Sequence, residues 1–175
     1  MKKIFYVLIF VLISSFTFAQ EQEEGITKGD MELSFYGLVF TTVGTDYNIA
    51  MGTIFASYGH YFTKNLLVGV APGITITSAM GETSTDFSFQ VFSAFNFMVD
   101  KKLVPYARAS FYQYSVDIPE GAKFNDYSYL QVGGGFKMFF TPQIAWDTSL
   151  NFGFGLSKAS EGATMMLLTG LAFKF

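Results

Sequence analysis

Chemistry in this chain has to come from a short roster of side chains. One histidine, His60, is present and cysteine is absent. That excludes a disulfide framework, a lipid-anchored cysteine and Cys-ligated zinc. Acyl transfer or hydrolysis needs a nucleophile with a base and an orienting group within hydrogen-bond reach. His60 is the one imidazole that can serve, and it stands just before the turn-like Thr63-Lys64-Asn65 with Tyr58, Tyr61 and Phe62 around it. Those neighbours favour a rim histidine packed among rings. The carboxylates gather in two loop-like clusters, Glu82 with Asp86, and Asp117 with Glu120 and Asp126. Neither has the spacing of a calcium loop, so solvated loops are expected, with weak divalent-cation or lipopolysaccharide-bridging contacts as the less favoured alternative. Gly133-Gly134-Gly135 has no helix after it to make a phosphate cradle and reads as relief of crowding, or a bend, within a strand. No catalytic residue, metal ligand or cofactor is assigned.

A second set of ionisable groups is more informative: Glu32, Arg108, Lys137, Asp147 and Lys174. With Asp86 they are the main charges that fall inside segments of alternating polarity. The clearest segment is 144–157. There Ile144, Trp146, Thr148, Leu150, Phe152, Phe154 and Leu156 face away from Ala145, Asp147, Ser149, Asn151, Gly153, Gly155 and Ser157. Residues 86–99 set Phe87, Phe89, Val91, Phe95, Phe97 and Val99 against Asp86, Ser88, Gln90, Ala94 and Asn96, and 66–77 shows the same period of two. Further strands are expected at 30–42, 49–62, 103–116, 127–140 and 164–175, with the facing of 49–62 left open. No helix is expected after residue 30. Tight turns at 63–65, 100–102 and 141–143 alternate with longer polar loops at 44–48, 78–85, 117–126 and 158–162. The result is an eight-stranded up-and-down antiparallel meander with both ends on the tight-turn side, the layout of a transmembrane β-barrel.

The chain has 175 residues, 50% hydrophobic, 19% aromatic and 14% charged, with a net charge of -3. So much Phe and so little charge exclude disorder, and the scattered Lys give no footprint for nucleic acid. Lys2 and Lys3, the apolar run from Ile4 to Phe16 and the small residues Thr17 and Ala19 form the pattern of a secretory signal peptide cleaved after Ala19. Residues 20–29 then form a short acidic lead-in and 30–175 a single barrel domain.

Facing follows from charge. A water-facing wall would carry many ionic side chains, whereas Gly, Ala, Ser and Asn suit a narrow filled lumen. Arg or Lys on a lipid face costs roughly 2–4 kcal/mol at mid-depth, so the five strand charges are expected inside as a polar network. Counting back from 141–143 puts Lys137 across from Asp147, and barrel closure brings Glu32 towards Lys174. Phe92, Tyr106, Tyr112, Tyr129 and Leu168 are expected to help occlude the lumen. Trp146, Phe152, Phe154, Leu171, Phe173 and Phe175 are expected on the lipid face. Tyr58, Tyr61, Phe62, Tyr106, Phe139 and Phe140 also lie at the turn-side ends, and those facing outward would join an aromatic girdle.

The terminal TMMLLTGLAFKF ending on Phe175 resembles the C-terminal signature of bacterial outer-membrane barrels. The run Tyr58-Gly59-His60-Tyr61-Phe62-Thr63-Lys64-Asn65-Leu66 and the phrase Val104-Pro105-Tyr106-Ala107-Arg108 resemble strand–turn phrases of the small OmpA/OmpX-like barrels. The resemblance covers 30–175. It implies the outer membrane of a Gram-negative bacterium, contact with its lipids and lipopolysaccharide, and recognition of the last strand by the barrel-assembly machinery. A monomeric or weakly self-associating barrel with no nucleic-acid partner is expected. The peptidoglycan-binding domain of full-length OmpA-type proteins is not expected after Phe175. The expected role is non-enzymatic: structural support of the envelope or surface interaction. The alternatives are a narrow channel and, less favoured by the position of His60, a lipid-modifying enzyme.

Overall fold

The computed structural model describes residues 25–41, 49–79, 82–114, 123–157 and 163–175. The signal segment, Asp117 and Glu120 lie outside the described residues. The strands are β1 (Met31–Thr41), β2 (Ile49–Tyr61), β3 (Leu66–Ala79), β4 (Glu82–Asn96), β5 (Leu103–Gln113), β6 (Ser128–Phe139), β7 (Ile144–Gly155) and β8 (Ala163–Lys174). Each pairs antiparallel with its sequence neighbour, and β8 returns to β1 to close the barrel. Closure leaves no open sheet edge, the condition that lets strands cross hydrocarbon. The seam is finished by the termini: the Met31 amide donates to the Phe175 carbonyl at 2.8 Å, and the Phe175 amide to the Met31 carbonyl at 3.0 Å.

Three local expectations are corrected. The loop at 78–85 is instead strand almost throughout, since the β3–β4 ladder runs up to Ala79 opposite Glu82. Its Ser and Thr residues pair in the ladder as readily as apolar ones, so polarity there did not mean loop. Next, β4 ends at Asn96, and Val99 is buried at 3% exposure rather than lying on the outward row. The Asn96 amide binds the Asn65 carbonyl at 2.7 Å, Met98 takes a positive φ of 48°, and the Val99 carbonyl accepts the Ile26 amide at 3.1 Å. The turn is therefore wider than 100–102, and it holds the lead-in against the barrel end. Last, a single 3-10 turn, Phe124–Tyr127, precedes β6. Asp126 begins it by accepting the Lys123 amide at 2.9 Å.

Two rows run along every strand. Ile54, Phe87, Val132, Phe154 and Leu167 are more than half exposed, while Thr53, Ser88, Gln131, Gly153 and Leu168 beside them in sequence are buried. The open facing of 49–62 resolves the same way: Thr53, Phe55, Ser57 and Tyr61 point inward, and Ile54, Tyr58 and Phe62 outward. An apolar belt on this scale exceeds what a water-soluble surface carries. The inner row includes several small residues for a steric reason. A Cβ on Gly135 would collide with the Thr148 carbonyl and the Tyr106 hydroxyl, and one on Gly170 with the Phe35 carbonyl.

Candidate functional site

The chemistry-bearing residues meet in the lumen, in layers that rise from the turn side. In the lowest layer, Lys137 Nζ donates to both Glu32 carboxylate oxygens, at 2.7 and 2.5 Å, and to Tyr61 Oη at 3.0 Å. Tyr61 in turn donates to Glu32 Oε2 at 2.8 Å. All three side chains are buried. Lys137 lies opposite Asp147 in the β6–β7 ladder and Glu32 opposite Lys174 in the β1–β8 ladder, but neither ladder pair forms the ion pair. Lys137 instead crosses the lumen to Glu32. Asp147 accepts the Tyr106 hydroxyl at 2.6 Å, and Lys174 turns to the lead-in, to the Gly25 carbonyl at 2.9 Å and Asp30 at 3.5 Å. In a barrel this narrow a long side chain reaches the far wall as easily as its ladder neighbour.

The middle layer is built around Arg108. Its Nη2 donates to Gln90 Oε1 at 2.6 Å and Tyr36 Oη at 3.1 Å, and its guanidinium lies 4.0 Å from the Phe92 ring centroid. Gln90 then donates to Gln131 Oε1 at 2.7 Å and Ser110 Oγ at 2.9 Å. This amide network of Tyr36, Gln90, Ser110 and Gln131 is absent from the expected site. The available signal was a glutamine at inward phase mid-strand in both β4 and β6. The four charges Glu32, Lys137, Asp147 and Arg108 sum to zero, as a buried set must to avoid an uncompensated ion. Between Tyr36, Tyr106, Arg108, Asp147, Ser149 and Leu168 there is no room for a water molecule.

Above this plug lie rings. Phe55 packs between Tyr36 and Tyr112, with centroids 5.8 and 6.0 Å away. A cavity of about 320 Å³ follows at the loop-side end, bordered by Leu38, Thr53, Tyr112, Tyr114, Tyr129 and Met166. Of the turn-side aromatics, Tyr61, Tyr106 and Phe139 point inward, so they belong to the lumen and not to a girdle. Tyr58, Phe62, Phe140, Trp146 and Phe175 are exposed on the outer face, as are Phe152, Phe154 and Leu171. Phe173 is half-buried on the same face, edge-on to Phe35 at 6.5 Å. The Trp146 indole donates to Thr169 Oγ1 at 2.7 Å and Thr148 Oγ1 at 3.0 Å, so the polar groups of that outer patch satisfy one another.

The His60 ring lies edge-on to Phe62 at 5.1 Å, and among the described residues no nucleophile is hydrogen-bonded to it. Among the described residues no three acidic or histidine side chains converge to hold a metal. At the base of the barrel, Asp30 accepts the Thr27 hydroxyl at 2.7 Å and the Thr27 amide at 2.9 Å. Partial burial pushes the Asp30 carboxyl up, but the Thr27 hydrogen bonds and then the Lys174 charge outweigh it, and its pKa falls below the ordinary 3.8. A depressed carboxyl stabilises above its unfolded pKa and loses that contribution as pH falls through the folded value. Docking of residues 25–30 should therefore be strongest at neutral pH and weaken on acidification below about pH 3.8, while the Ile26–Val99 and Lys174–Gly25 contacts persist. Following the Thr27 amide resonance through an acid titration checks this, and Asp30→Asn should abolish the transition.

No protein-family model matches the sequence, and no curated protein matches it. Solved structures do. The N-terminal β-barrel domain of Pseudomonas aeruginosa OprF superposes with a TM-score of 0.60 at 17% identity, covering 85% of this chain and 98% of that one. A de novo designed transmembrane β-barrel superposes at 0.50 with 20% identity, covering 89% of this chain and 100% of the design. The outer-membrane protein OprG of Pseudomonas aeruginosa is a looser likeness, at 0.47 and 12% identity over 86% of this chain and 98% of that one. Closure, strand number, strand order and the OprF superposition lead to one assignment: this chain has the fold of the small eight-stranded outer-membrane β-barrels.

Proposed function

We propose that this protein is a non-enzymatic integral outer-membrane barrel that stabilises the envelope and presents its loop-side end for surface contact. The observation that carries the reading is the plugged lumen: the ionic layer, the Arg108–Gln90–Gln131 network and the Phe55 stack follow one another along the axis. A lumen filled in this way serves as a rigid support and not as a conduit. Export by the signal segment and insertion through the last strand, ending at Phe175, belong to the same reading. So does a monomer solvated by lipids and lipopolysaccharide. An enzymatic role finds no constellation among the described residues to rest on, where His60 stands on the outer face with Phe62 as its ring contact.

The test is conductance. Purified protein in planar bilayers at high salt is expected to stay silent, and lipid A profiles are expected to be unchanged by His60→Ala. Steady, reproducible single-channel steps would overturn the reading in favour of a narrow channel.

A further inference from the structure

The wall formed by β1 to β4 carries a groove on its outer face. The groove has a volume of about 970 Å³ and is lined by Ile54, Ala56, Pro72, Ile74, Ile76 and Phe87 among others. Its cause is local. The outward positions Gly37, Gly52, Ala56 and Pro72 carry little or no side chain, so the floor is nearly bare backbone. The β2–β3 ladder also skips the pairs Ala56–Pro72 and Ser57–Ala71 while keeping register on either side. Pro72 has no N–H to give to β2, which is why the ladder opens there. A Cβ built on Gly52 meets nothing within 4 Å, so the groove is open space and not a tightly closed seam.

We propose that this groove seats an acyl chain of a membrane lipid. Three observations select that occupant. Ile54, Ile74, Ile76 and Phe87 form its rim and also belong to the exposed apolar rows, so the groove is continuous with the membrane-facing wall. Ile54, Ile74 and Phe87 are register partners lying well inside β2, β3 and β4, away from the strand ends where headgroups sit. None of the lining residues is ionisable, so the groove complements a chain of methylenes and no headgroup. Its volume falls within the roughly 300–1,000 Å³ of small-ligand sites, and a single notch is far less than the ~1,000 Å² a stable protein interface buries. A flexible chain restores the van der Waals contacts that a void forfeits.

The proposal rests on the outer face meeting lipid, and the experiment separates the two ideas. Trp146 is the sole tryptophan. Trp146→Phe clears the background, because Thr148 and Thr169 still bond each other at 2.9 Å. Single tryptophans are then placed in the groove by Phe87→Trp, and on the wall of β6 at similar depth by Val132→Trp. In octyl glucoside micelles, 9,10-dibromostearate should quench the groove tryptophan saturably. Half-quenching is expected at a mole fraction at least about threefold below that for Val132→Trp. Adding Gly52→Leu, whose Cβ meets nothing within 4 Å and whose side chain occupies the groove floor, should erase the difference. Equal quenching of both positions overturns the proposal and leaves the lipid-facing wall standing. A Val132→Trp that is quenched beside a Phe87→Trp that is not also overturns it, and assigns the groove to a protein contact such as a second copy. If neither is quenched in vesicles of dibrominated phosphatidylcholine, the lipid-facing wall itself is wrong and the groove site falls with it.

Discussion

Lys137→Met should cost the folded barrel about 3–5 kcal/mol, the largest single effect expected in this molecule. The substitution keeps most of the volume but leaves Glu32 buried with Tyr61 and Ser34 as its hydrogen-bond donors and no cation against it. A charge in that position has lost water and gains no partner, and the cost is that of an uncompensated buried ion. The double variant Glu32→Leu with Lys137→Met removes both ends and should recover most of the loss, because an apolar pair of similar size needs no charge compensation. Urea unfolding in lipid vesicles, followed by Trp146 fluorescence, measures both of these and the single Glu32→Leu that completes the cycle. Strong non-additivity is the signature. A single-variant loss below about 1 kcal/mol would mean that the pair is solvated in the folded protein and is not the buried contact described above.

Leu150→Arg is the second large effect, at about 2–4 kcal/mol, and it reports on the surroundings of the barrel rather than its interior. Leu150 points outward midway along β7. In hydrocarbon at that depth a guanidinium must distort the bilayer or drag in water. Phe140→Arg sits just beyond β6 at the turn side, where a charge reaches the interface, and its cost should be about 0–1 kcal/mol. The gradient between the two sites is the decisive quantity, read from the same vesicle unfolding curves. Equal, near-zero costs would place the outer rows in water, and the reading of this chain as a membrane barrel would fail with them.

Reading along the chain reached surprisingly particular features. Counting outward from the turn at 141–143 places Lys137 opposite Asp147, and the ladder has that register. The number of strands, the closing pair β1–β8 and the turn-side position of both ends follow from the same count. These are local or nearest-neighbour properties. A period of two and a tight turn together fix which residues oppose one another on adjacent strands.

The stretch 78–85 escaped that logic because polar residues pair in a ladder as well as they line a loop, and Val99 because the end of its strand is decided by hydrogen bonds from elsewhere. Asn65 anchors the end of β4, and Ile26 from the lead-in captures the Val99 carbonyl. The choice of ion-pair partners escaped it too. Which acid Lys137 meets, how Gln90 links Arg108 to Gln131 and where the wall thins at Pro72 depend on distances across the lumen and around the circumference. Those distances are set by tilt and curvature, which no single strand encodes.

Alternation and turn spacing, both written in the residue order, were enough to commit this chain to a cylinder with grease outside and polarity within. The contacts spanning that cylinder emerged when all eight strands closed together, because a side chain chooses its partner by reach through space and not by position along the chain.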